Sequence, residues 1–305
     1  MDYQNVIDEA TWGFIAKSEA HYPPETASYS IDRQRQIYDT MCREFFAGYP
    51  PGITAQDETI GGVPCRIYRG LGPATILYLH GGGYVVGGLD SHDDVCAEIR
   101  ARTGLTVVSA DYRLSPEHRH PAAFEDACAV ARALPGPLVL VGDSAGANLA
   151  AAAAHALRGS SLRILGQVLI YPGLGGDMTQ GSYRTHAKAP MLTLDDVLFY
   201  KDIRHGSPAP TDDPTVTPLC DLDFTGLPPT LAISAQCDPL ADDARDYAAK
   251  VIGGGGRAHW SNAKGLVHGF LRARSTVPRA ADQFTLIVDT ISAFARTDWP
   301  FKEPL

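Results

Sequence analysis

From about residue 65 onward the chain alternates between two hydrophobic patterns. One is short and continuously apolar: "CRIYRG", "TILYLHGGG", "TVVSADYRL", "LVLVGDSAG", "QVLIYPG", "PTLAISAQCD" and "AHWSNAKGLVHGF". Such runs are expected of strands covered on both faces of a parallel sheet. The other pattern is helical. "SHDDVCAEIRART" opens with Ser91 as an N-cap and acidic residues in its first turn. "PAAFEDACAVARAL" opens with Pro121, suited to a first helical position. "SAGANLAAAAAHALR", "LADDARDYAAKV" and "PRAADQFTLIVDTISAFAR" follow in the same way. Strand–helix alternation of this kind predicts an α/β fold with a mostly parallel, doubly wound sheet. "ETIGGVPCRIYR" predicts a hairpin turning at Gly61-Gly62, as an antiparallel edge.

Two regions break the alternation. Residues 1 to about 50 hold helical pieces, including "DRQRQIYDTMCREFFAG" closed by Gly48. Residues 176–218 interrupt the sheet pattern and carry a helix from Thr193 to Ile203. A long insertion after a strand end is read as a lid or substrate-binding element, against the alternative of a surface loop. "GGGG" at Gly253 to Gly256 marks a loop.

Composition narrows the classes. The 305 residues are 45% apolar, enough for one large α/β domain with an appendage. A net charge of −9 argues against binding to nucleic acid or an anionic membrane surface. No run reaches the roughly 18 apolar residues of a membrane span, and "MDYQNVIDEA" lacks the pattern of a secretory signal. Cys42, Cys65, Cys96, Cys128, Cys220 and Cys237 are scattered, without zinc-ligand spacing. They read as reduced, buried thiols, and the expected location is cytoplasmic.

The chemistry concentrates at strand ends. Gly142-Asp143-Ser144-Ala145-Gly146 fits G-x-S-x-G, with an apolar strand before it and an alanine-rich helix after it. That context turns a strand sharply into a helix and leaves the serine on an exposed, strained apex. A serine capping an ordinary helix is the alternative. His80-Gly81-Gly82-Gly83 follows "TILYL", and glycines there let backbone N–H groups face a developing oxyanion. No Lys-Ser/Thr follows them, and no G-x-G-x-x-G with a downstream acid is present, so phosphate and dinucleotide cradles are disfavoured. His80 reads as ordering the loop. A serine nucleophile needs a base and an acid, in the chain order Ser, Asp/Glu, His. Asp238 at the end of "LAISAQCD" and His268 in "GLVHGF" meet that order, although each alone would read as a helix cap or a loop residue. Asp242 and Asp243 fall inside the following helix and are weaker candidates for the acid.

Together "HGGG", "GDSAG", "DPL" and "HGF" resemble the hormone-sensitive-lipase-type esterases of the α/β-hydrolase fold. "DYRLSPEHRHPAAFED" and "GLPPTLAISAQCDPLADDA" extend the likeness to roughly residues 58–296. The resemblance implies an α/β-hydrolase with a helical cap. Residues 51–175 and 219–305 would form the catalytic domain, and residues 1–50 and 176–218 the two parts of the cap. It further implies Ser144 as nucleophile, His268 as base, Asp238 as orienting acid, and an oxyanion hole from the N–H groups of Gly81, Gly82 and Ala145. No metal or cofactor is required, and a homodimer through the last strand and helix is common among look-alikes. Three departures stand out: Ala147 in place of glycine, "RLSPE" for "RLAPE", and "DPLADD" for "DPLRDE".

The leading expectation is a serine carboxylesterase acting on a small-molecule ester with a short to medium acyl chain. The alternatives are an amidase or lactonase with the same triad, and a non-hydrolytic receptor of the kind seen in the gibberellin receptors. The complete triad ranks the receptor lower. Tyr84, Tyr183, Met191, Phe199 and Tyr200 are candidates for the pocket wall, with ordinary packing as the competing role.

Overall fold

The computed structural model describes residues 1–302 apart from 24, 207–209 and 211. The parts of the expected cap and catalytic segments at those positions, and at 303–305, lie outside the described residues.

The apolar runs form an eight-stranded sheet. Its strands are β1 (Gln56–Ile60), β2 (Val63–Tyr68), β3 (Thr75–Leu79), β4 (Thr106–Ala110), β5 (Leu138–Asp143), β6 (Ile164–Ile170), β7 (Thr230–Cys237) and β8 (Ala258–Val267). The spatial order is β1-β2-β4-β3-β5-β6-β7-β8. β1 pairs antiparallel with β2, turning at the glycine pair, and β2 pairs antiparallel with β4; the other pairings are parallel. Side chains of each central strand alternate between two cores. Ile76 and Tyr78 enter one with Val139 and Val141, while Leu77 and Leu79 enter the other with Leu138 and Leu140. Both faces are therefore dry, which is why the runs show no polar alternation.

Helices cover both faces. α1 (Glu9–Glu19), α2 (Ile31–Glu44), α3 (Asp93–Thr103) and α9 (Pro278–Ala295) close the first core. α4 (Ala122–Ala133), α5 (Ala145–Leu157) and α8 (Ala241–Gly253) close the second. α5 is buried along nearly its whole length, and its alanines let it lie close to the sheet. Ala147, the departure beside the elbow, is fully buried in that core. α9 takes Pro278 at its first turn, and α8 ends at the first glycine of "GGGG".

Some helix ends differ from expectation. Pro121 sits one residue before α4. α2 ends at Glu44, ahead of Gly48. Ser91 lies in a 3-10 turn, and α3 starts at Asp93. Its hydroxyl serves the preceding loop instead, accepting from the Gly88 N–H at 3.0 Å and donating to the Gly88 carbonyl at 2.9 Å.

The insertion carries α6 (Gly181–Thr185) and α7 (Leu194–His205). Thr193 and Asp196 cap α7 reciprocally: Thr193 Oγ1 accepts the Asp196 N–H and Asp196 Oδ2 accepts the Thr193 N–H. The start of α8 ties the insertion down. Asp242 accepts the Ser182 N–H at 2.8 Å, and Asp243 accepts from the N–H groups of Leu174, Gly175 and Gly176 and from the Tyr183 hydroxyl. Those two aspartates therefore hold the insertion and the segment leading into it rather than the base. Among the described residues, no helix is long and apolar enough to cross a membrane.

Candidate active site

Four strand ends deliver the chemistry to one edge of the sheet: β3 into His80, β5 into Ser144, β7 into Asp238 and β8 into His268. This carboxyl edge is where parallel α/β sheets bind ligands. Ser144 stands between β5 and α5 with φ +53° and ψ −117°, a conformation L-residues avoid. The turn closes only because its flanks lack side chains. A Cβ on Gly146 would land on the Leu79 carbonyl, and one on Gly142 on the Gly146 backbone.

The three polar residues form a relay. Ser144 Oγ lies 2.9 Å from His268 Nε2, and His268 Nδ1 lies 2.7 Å from Asp238 Oδ2. The Asp238 carboxylate can only accept from Nδ1, so Nε2 is left as the acceptor facing the serine hydroxyl. Asp238 is fully buried, and its second oxygen accepts the Leu240 N–H at 2.8 Å. One carboxylate thus caps the turn into α8 and orients the histidine. The Tyr171 ring packs 4.7 Å from the His268 ring.

The oxyanion expectation is corrected at one position. The Gly81 N–H donates to Asp143 Oδ1 at 3.0 Å and is not available to a substrate. Among the described residues the N–H groups of Gly82, Gly83 and Ala145 have no acceptor, and Gly83 and Ala145 line the cleft beside Ser144. Gly82 adopts φ +127°, so the loop can turn there without strain. His80 holds this loop from behind. Its Nδ1 donates to the Gly81 carbonyl at 2.8 Å, its ring stacks on Tyr112, and burial pushes its pKa down to about 4, keeping it neutral.

Asp143, the second residue of "GDSAG", was not singled out from the sequence, yet it joins several elements. Its carboxylate accepts the Gly81 N–H and the Tyr78 hydroxyl at 2.9 Å, and lies 3.2 Å from His92 Nε2. Burial raises its pKa, but the His92 ring, the Arg272 guanidinium and the Tyr78 hydroxyl together outweigh burial, and the group is held well below the usual carboxylate range. Arg272 in turn donates to the Ser91 carbonyl at 2.9 Å and to the Tyr38 hydroxyl of α2 at 2.6 Å. A buried acid at the end of an apolar strand was the available signal.

The cleft over Ser144 spans about 670 Å³, open solvent at its mouth included. Tyr84, Tyr183 and Tyr200 line it. Phe199 and Met191 are not among its walls, which corrects their placement. Phe199 stacks edge-on to Tyr200, and Met191 packs against the larger core. A helix shows one face to the cleft, and Tyr200 rather than its neighbour Phe199 occupies it. Lys201, Arg204, Leu192, Val197 and Leu240 complete much of the wall. Among the described residues, none of 1–50 lines the cleft. That segment buttresses the site from outside, with Arg35 donating to the Val85 and Ser115 carbonyls and pairing with Glu117. No group of three His, Cys, Asp or Glu among the described residues is placed to hold a metal.

Such a relay beneath an apolar cleft can activate a hydroxyl and stabilise an adjacent oxyanion. The profile of the α/β-hydrolase fold family matches residues 76–272. The chain is 33% identical over 260 residues to the carboxylesterase NlhH of Mycobacterium tuberculosis, covering 76% of this chain and 80% of that protein. It is 32% identical over 249 residues to an ethyl acetate hydrolase of Pseudomonas putida, covering 75% and 78%. Among solved structures, an esterase from the bacterial hormone-sensitive lipase family superposes with a TM-score of 0.85 at 26% identity, over 93% of this chain and 98% of that one. The chain belongs to the α/β-hydrolase fold family, and within it to the hormone-sensitive-lipase-type esterases.

Proposed function

We propose that the protein is a serine carboxylesterase that hydrolyses short- to medium-chain acyl esters through an acyl-enzyme on Ser144. That it is a carboxylic ester hydrolase follows from its family and from relatives that include a carboxylesterase and an ethyl acetate hydrolase. The observation that carries the mechanism is the relay Ser144–His268–Asp238, at 2.9 and 2.7 Å.

Ser144 Oγ attacks the ester carbonyl as His268 Nε2 takes its proton, and Asp238 steadies the imidazolium that forms. The tetrahedral oxyanion is received by the N–H groups of Gly82, Gly83 and Ala145. His268 returns the proton to the departing alkoxide. It then takes a proton from a water molecule that attacks the acyl-enzyme, and gives that proton to Ser144 Oγ as the acid leaves. Residues 176–218 act as the cap over the cleft, and residues 1–50 as its outer support. The test is hydrolysis of a p-nitrophenyl ester series beside Ser144→Ala and matched anilides. Turnover of the esters only, abolished in Ser144→Ala, is expected; equal cleavage of the anilides would make the enzyme an amidase.

A further inference from the structure

The ester-hydrolase reading leaves two features of the cleft unused. Arg204 and Lys201 stand three residues apart on α7, and both line the cleft that Ser144 opens into. Arg204 is 6% exposed. Its guanidinium packs 3.7 Å from the centre of the Tyr84 ring and donates only to neutral acceptors: the Val216 carbonyl and Asn148 Oδ1 at 3.3 Å, and the Thr215 carbonyl at 3.4 Å. Lys201 is half-buried, and its ammonium meets Met178 Sδ at 3.9 Å. Among the described residues, neither cation has a carboxylate within 4.0 Å.

Arg274 shows the contrast. Its side chain, 7% exposed, pairs with Asp94 and Glu98, each at 2.7 Å. Neither Asp213 nor Asp243 comes within 4.0 Å of either cation. Asp213 holds Thr215 and His120. Asp243 Oδ2 accepts from three backbone N–H groups and Tyr183, its Oδ1 has no hydrogen-bond partner among the described residues, and burial raises its pKa to about 7. Burial lowers the pKa of both Lys201 and Arg204, the expected mark of a charge with too little compensation. A buried cation is costly unless paired, and a planar carboxylate suits a guanidinium fork and a neighbouring ammonium. The remaining wall is mostly apolar, with Leu192, Val197 and Leu240, so a hydrocarbon segment fits between the reacting carbonyl and the cations.

We propose that the ester taken by this cleft carries a carboxylate, received under α7 by Lys201 and Arg204. This deepens the esterase reading and rests on it. The carboxylate can stand on the acyl half, as in a half-ester of a dicarboxylic acid, or on the alcohol half, as in an acylated hydroxy acid.

The test compares kcat/KM for matched pairs. Mono-p-nitrophenyl succinate, glutarate and adipate are set against p-nitrophenyl butyrate, valerate and hexanoate. 4-Acetoxybenzoate is set against phenyl acetate for the alcohol half. In at least one arm the charged ester is preferred at least tenfold, and the arm identifies the half. Lys201→Met lowers that preference at least tenfold. Lys264→Met, the same charge change at an exposed position on β8, leaves the ratio unmoved. Preference for the neutral ester in every pair overturns the proposal while leaving the esterase intact. So does an equal fall of the ratio in Lys201→Met and Lys264→Met. Turnover of neither class above Ser144→Ala overturns the esterase reading and this proposal with it. The wild-type comparison decides even if a variant fails to fold.

Discussion

At the residue scale, the arrangement turns on what each polar atom is already bonded to. Asp238 holds His268 with one oxygen and the Leu240 N–H with the other. Asp238→Asn can keep an acceptor for the backbone but presents the wrong partner to the histidine. It is expected to lower kcat by about 10⁴ with the fold retained, as checked by p-nitrophenyl butyrate kinetics beside circular dichroism. Ser144, Asp238 and His268 were legible because each ends an apolar run and their chain order is diagnostic. Gly81 was misassigned because a glycine's N–H carries no label of its partner. Only the folded chain brings the Asp143 carboxylate to it, 62 positions away in sequence. Arg204 escaped notice for the same reason, since its partners Asn148, Thr215 and Val216 come from α5 and from the end of the insertion.

At the scale of elements, the sharp turn from β5 into α5 requires close approach of three chain segments. Gly146→Ala would place a methyl on the Leu79 carbonyl, and a stability loss of about 3 kcal/mol or more is expected in urea unfolding. Asp143 binds the same region electrostatically. Asp143→Asn removes one partner of a buried charged network and is expected to cost about 3–5 kcal/mol of stability. In Asp143→Ala, where Gly81 also loses its acceptor, kcat should fall as well; unaltered kcat in that variant would show that the anchor does not position the loop. The strands and most helices were readable from hydrophobic period and capping alone, since both sheet faces are dry and α7 carries its own capping pair. The cleft wall was less readable. Aromatic identity does not tell which side of α7 faces inward, and so Tyr200 and Phe199 could not be separated.

For the whole molecule, buried titratable groups set how stability follows pH. The native pKa of His80 falls from 6.5 to about 4, so its contribution is complete above about 6.5 and is lost as pH drops toward 4. Asp243 works in the opposite sense. Its native pKa rises from 3.8 to about 7, so the native state resists its ionisation and stability declines as pH rises across that window. Thermal melts should therefore show Asp243→Asn gaining on the wild type between pH 4 and 7, and a difference that does not grow with pH would contradict this. One serine, set between β5 and α5 beneath α7, is expected to carry the hydrolysis. The most direct measurement is intact-mass and peptide mapping after reaction with a p-nitrophenyl alkylphosphonate, with residual p-nitrophenyl butyrate hydrolysis followed in parallel. One phosphonyl group per chain is expected, on Ser144, with activity lost in proportion to labelling and no labelling in Ser144→Ala. Hydrolysis that persists in a fully labelled chain or in Ser144→Ala would contradict it.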